Sequence, residues 1–109
     1  MTVELVTFID LSDAEGMFGL FVELVADERA RCQHDPERLR FLDDLFTELK
    51  AMARDVPQIP VSAMLERLEC LRESTDPAFA GDRVMAHFDD LLDELGLTDV
   101  LLVVQDLVV

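Results

Sequence analysis

Aspartate precedes proline twice in this chain, at Asp35-Pro36 and at Asp76-Pro77. The pair is a helix start signal. The carboxylate can accept from an orphan N–H of the first turn, and the proline takes a position whose own N–H would have no partner. After the first pair, Leu39, Leu42, Leu45, Phe46, Leu49 and Met52 recur at three- and four-residue spacing, with Phe41 widening the stripe. That period predicts an amphipathic helix running to about Arg54.

Similar reasoning predicts three more helices. Ser12 and Glu15 form a capping-box pattern that places a helix start near Asp13. Met17, Phe18, Phe21, Leu24 and Val25 carry its stripe to Arg31 or Cys32, weakened early by Gly16 and Gly19. The segment Asp55–Pro60 holds two prolines and reads as an extended connector. Ser62 is expected to cap a third helix with Met64, Leu65, Leu68 and Leu71 inward. The second Asp-Pro pair ends it and starts a further turn, and Gly81 and Asp82 reset the chain. Val84, Phe88, Leu91, Leu92 and Leu95 define a fourth helix, and Gly96 suits the left-handed position that closes one. Four such segments on short connectors imply a mainly α chain folded as an antiparallel bundle.

The two ends read differently. Thr2–Ile9 is rich in β-branched and aromatic residues, and Val100–Val109 is apolar at eight of ten positions, five of them valine. Both favour short strands. A strand apolar on both faces must be covered, so the C-terminal one is expected to pair with Thr2–Ile9 or with its equivalent across a homodimer.

A chain of 109 residues, half of them apolar and 30% charged, can bury a core and is expected to form one domain, 1–109. The first residues lack a basic n-region and are interrupted by Glu4 and Asp10, unlike a secretory signal. No apolar run approaches the roughly eighteen residues of a membrane helix. Cys32 and Cys70 form neither a CxxC pair nor a disulfide framework and read as buried thiols in a reducing compartment. Together these predict a cytoplasmic protein.

Charge narrows the function classes further. All nine basic residues lie between Arg29 and Arg83. Residues 1–28 carry −7 and residues 84–109 carry −6, leaving −2 for the middle of a chain whose net charge is −15. Such a surface repels nucleic-acid phosphate and anionic lipid, which demand clustered Lys and Arg, and attracts a basic protein partner. Asp89, Asp90, Asp93 and Glu94 form the densest acidic cluster. Two pairs within it are like charges at i, i+4, each repulsive by roughly 0.2–0.5 kcal/mol, and they precede the expected helix end, where the macrodipole favours cations. Glu23, Asp27 and Glu28 make a second patch. The plain alternative is a solvated helix face kept acidic for solubility.

Catalytic and metal chemistry find little support. Asp10–Gly16 has the carboxylate density of a calcium loop, but its glycine falls one position late and Phe21 stands where the bidentate Glu belongs. Cys32, His34, Cys70 and His87 lack paired zinc-ligand spacing. His87 has no neighbouring Lys or small residues to admit a phosphoryl group. Ser12 and Ser62 read as caps, and neither cysteine has a flanking base. No phosphate-cradling glycine loop occurs. The expectation is a non-enzymatic protein-binding module without cofactor or metal, an inhibitor of the immunity, antitoxin or anti-defence type. The alternative is a dimeric adaptor or chaperone-like protein using the apolar tail.

Overall fold

The computed structural model describes residues 11–108, and their side chains from 14 to 101. Four helices follow one another: α1 (Leu11–Arg31), α2 (Pro36–Ala53), α3 (Val61–Ser74) and α4 (Arg83–Val108). Single 3₁₀ turns at Val56–Gln58 and Pro77–Phe79 interrupt the longer connections.

Both Asp-Pro signals act as the sequence implies. The Asp35 side chain accepts from the Arg38 N–H at 3.3 Å and opens α2. That of Asp76 accepts from the Ala78 N–H at 2.9 Å and opens the second 3₁₀ turn. Asp82 opens α4 in the same way, accepting from the Val84 N–H at 3.0 Å. The serine caps fare worse. The residue before α3 is Pro60, which offers no side-chain acceptor, and Ser62 is the exposed second residue of the helix. Helix α1 is already formed at Leu11, so Ser12 lies within it. The connector Asp55–Pro60 is not wholly extended either. Pro57 is tolerated at the start of a 3₁₀ turn, which needs no N–H there, and Val56 is buried by it.

The largest departure lies at the C-terminal end. Val100–Val108 is helical as part of α4, so the expected C-terminal strand does not form. Gly96 does not end the helix, and no glycine among the described residues takes a positive φ. The apolar stripe explains the continuation: Val84, Phe88, Leu91, Leu95 and Thr98 are all buried at alternating four- and three-residue steps, so packing spans Gly96. The Thr98 hydroxyl donates to the Glu94 carbonyl at 2.9 Å and satisfies itself within the helix. Against this, the strand preference of valine is a context-dependent bias. The expected N-terminal strand, Thr2–Ile9, lies outside the described residues.

Contacts define an antiparallel arrangement with α1 and α4 as its central pair. Phe21 meets Phe88 with ring centroids 5.0 Å apart, and Glu28 meets Arg83, so α1 and α4 run in opposite directions. Helix α2 packs on α1, and α3 packs on α4. The core between them holds Phe18, Val25, Leu42, Leu49, Met64 and Leu68. Helices α2 and α3 approach each other less closely than either approaches its partner in the central pair.

Candidate functional site

Because α1 and α4 are neighbours, the described parts of the two acid-only blocks, residues 11–28 and 84–108, lie on adjacent helices. The agent is helix packing within the core and not pairing of terminal strands. On α4, Asp90, Asp93 and Glu94 are exposed and form no ion pair with a described residue. Asp89 is also exposed but is held by Arg72 of α3, whose Nε donates to Oδ1 at 2.9 Å. On α1, Glu23 and Asp27 are exposed and likewise lack an ion pair among the described residues.

Between the helices runs a shallow groove of about 250 Å³. Its walls include Met17, Leu20 and Leu24 from α1 and His87, Asp90 and Glu94 from α4. Leu20 is 67% exposed there. A large apolar side chain in water beside uncompensated carboxylates has the composition of a binding surface, in which the apolar group supplies area and the charges supply orientation.

The helix-end objection to the acidic quartet disappears with the corrected length of α4. Asp89–Glu94 occupies the first half of a 26-residue helix, more than three turns from its end. The macrodipole acts within the last turn, so it does not oppose these residues. Only the i, i+4 repulsions remain, and Arg72 relieves the one involving Asp89.

Glu28 is not part of any exposed patch. Its side chain is 11% exposed and lies at the centre of an ion-pair network joining three helices. Arg38 Nη2 of α2 and Arg83 Nη2 of α4 donate to its carboxylate, at 3.1 and 2.7 Å. Arg38 also grips Asp82 with two parallel bonds, Nε to Oδ2 at 2.7 Å and Nη2 to Oδ1 at 3.0 Å. Burial pushes the Glu28 carboxyl up, but the hydrogen bonds and charges of Arg83 and Arg38 outweigh it and leave the group below its ordinary value. The Arg38 hydrogen bond does the same for Asp82 against its own desolvation, helped by the Val84 amide. Asp82 in turn raises the Arg38 guanidinium.

This network has a sequence signal that composition hides. Ala14, Phe18, Phe21 and Val25 form the buried stripe of α1, Cys32 is buried just past its end, and Glu28 falls on the same register between Val25 and Cys32. A charge at a core-spaced position requires a partner from another element.

Of the two thiols, Cys32 is buried at the end of α1, whereas Cys70 is exposed on α3, contrary to the expectation that both are buried. Among the described residues no three His, Cys, Asp or Glu side chains converge as a metal site would demand. No described helix is long and apolar enough to cross a membrane. No protein-family model, curated protein or solved structure matches this chain.

Proposed function

We propose that the chain is a non-enzymatic binding module that occupies and blocks a basic protein partner through the α1–α4 face, as an inhibitor of the immunity, antitoxin or anti-defence type does. The observation that carries the reading is the exposed, uncompensated set Glu23, Asp27, Asp90, Asp93 and Glu94 on two adjacent helices, with Leu20 exposed beside it. A negative field on one face steers a positively charged partner into encounter, and an apolar contact then slows its departure. The compartment proposed for this action is the cytoplasm.

The test is a tagged pull-down from lysate with low-salt and then high-salt washes, run beside a variant carrying Asp90→Lys, Asp93→Lys and Glu94→Lys. The expected result is a stoichiometric basic protein held by the parent, released by salt and absent from the variant. Equal capture by both proteins would reject the face.

The exposure of Leu97 and Val100, at 61% and 58%, favours a second reading, a dimeric adaptor whose copies meet along α4. Sedimentation of the parent beside Leu97→Gln/Val100→Gln separates the two readings, since only the adaptor loses mass on substitution.

A further inference from the structure

A second surface lies between α2 and α3, consecutive helices that approach each other less closely than either approaches its partner in the central pair. Each leans on a different member of the central pair, so a groove of about 450 Å³ stays open between them, within the volume range of ligand sites. Its apolar lining is Phe41 and Leu45 of α2, Leu71 of α3, and Phe79 of the following turn. The rings of Phe41 and Phe79 stack with centroids 4.4 Å apart and planes 3° from parallel, bracing one end. The groove continues past Leu71 and Ser74 along α3 to the exposed Cys70.

The rim is acidic. Glu37, Asp44 and Glu48 line the α2 bank and Asp76 the other, against Arg40, with Arg67, paired to Asp55, farther along the α3 extension. Glu37, Asp44, Glu48 and Asp76 are all exposed and none has an ion-pair partner among the described residues. Glu37, Asp44 and Glu48 stand at i, i+7 and i+11, one straight row, with steps of roughly 10 and 6 Å along the axis at 1.5 Å per residue. A second helix carrying basic residues at the same intervals presents a matching row.

We propose that this groove receives an amphipathic helix from another protein, with an apolar stripe seated on the partly exposed Leu71 and Phe79 above the buried floor of Phe41 and Leu45, and with Lys or Arg flanking it toward the Glu37–Asp44–Glu48 row. Both long banks are helices whose backbone groups already bond internally, so the walls offer side chains and almost no main-chain donors or acceptors. An extended peptide would lie there with its own N–H and C=O groups unmatched, whereas a helix brings them satisfied. The surface shares no residue with the α1–α4 face, and the inference holds whether or not that face has the role assigned to it above.

The probe is a synthetic helix about as long as α2, with leucines at i, i+3, i+4 and i+7 and lysines elsewhere. Two controls accompany it, a leucine–glutamate helix and a lysine–alanine helix of equal charge. Binding is read on the intact chain by backbone amide shifts and by the rate at which iodoacetamide alkylates Cys70, with buried Cys32 as the internal reference. The expected result is saturable binding of the leucine–lysine helix alone, with shifts centred on Phe41, Leu45, Leu71 and Phe79 and alkylation of Cys70 slowed several-fold. Asp44→Lys/Glu48→Lys, both at exposed positions, is expected to weaken that binding about tenfold, while Asp90→Lys/Asp93→Lys leaves it nearly unchanged. Equal binding of either control, no saturable binding, or shifts centred on Leu20, Asp90 and Glu94 would overturn the proposal. The last outcome would place the peptide on the α1–α4 face instead, so failure here is distinguishable from failure of the blocking function.

Discussion

Replacing Arg38 by methionine removes a guanidinium while keeping most of its apolar stem, which isolates the charge from the packing. The parent side chain makes three charged hydrogen bonds, two to Asp82 and one to Glu28, and both carboxylates are 11% exposed. Stripping the partner from a buried pair costs about 3–5 kcal/mol. Two contacts soften that here, because Arg83 still holds Glu28 and the Val84 N–H still holds Asp82. The expected loss is therefore near the lower end, about 3 kcal/mol, or a fall in Tm of roughly 12–24 °C for a domain of this size.

The pH dependence gives a second, independent signature. Glu28 and Asp82 both titrate below their ordinary values in the folded chain. A depressed carboxylate contributes stability that is present above its unfolded pKa and is lost as pH falls through the folded one. In Arg38→Met this contribution is mostly removed for Asp82 and only partly for Glu28, which Arg83 still holds, so the gap between variant and parent should be widest near about pH 7 and narrow below about pH 4. Urea unfolding followed by circular dichroism at both pH values measures it. Arg67→Met is the control, since Arg67 pairs with an exposed Asp55 at 3.0 Å and should change stability by at most about 0.5 kcal/mol. A loss for Arg38→Met below about 1 kcal/mol, equal at both pH values, would show that the network behaves as a surface pair and would refute the reasoning.

Two further substitutions test the corrected helices. Gly96→Ala should stabilise the chain by about 0.5–1 kcal/mol in thermal unfolding, because the added Cβ would meet Leu65 Cδ2 at an ordinary 4.0 Å inside a continuous helix; a loss would mean that Gly96 does end α4. Asp35→Ala should cost about 1 kcal/mol in urea unfolding by removing the α2 cap, whereas Ser62→Ala, at a position that caps nothing, should be close to neutral.

The helices were legible where two local signals agreed. Asp35-Pro36 supplied a cap and a fixed φ just ahead of a 3.6-residue stripe, and α2 begins there. The tail misled because its valines favour a strand locally, while the stripe of Val84, Phe88, Leu91 and Leu95 continues past Gly96 through Thr98, a polar residue that does not read as part of an apolar stripe. Ser62 misled because serine is a good cap in general, but the cap position of α3 is Pro60, two residues earlier. For the candidate site, the acidic character of α4 and its neighbour α1 could be read directly. The withdrawal of Glu28 could not be read from charge alone, since its partners Arg38 and Asp82 are brought to it by tertiary packing.

Cation placement links the fold to the surface field. Five of the nine basic residues, Arg29, Arg38, Arg67, Arg72 and Arg83, are engaged in ion pairs with carboxylates of this same chain. Arg38 and Arg83 neutralise Glu28, which the α1 stripe would otherwise bury unpaired, at the end of the central pair where α1 finishes and α4 begins. Farther along the same two helices no basic residue follows Arg83 and none precedes Arg29. Arg38 and Arg83 thus join the helices where charge is buried, while Glu23, Asp27, Asp90, Asp93 and Glu94 stay exposed with no ion pair among the described residues. An acidic face follows from that division without a dedicated motif, which is why its character shows in the charge distribution and in no local sequence pattern.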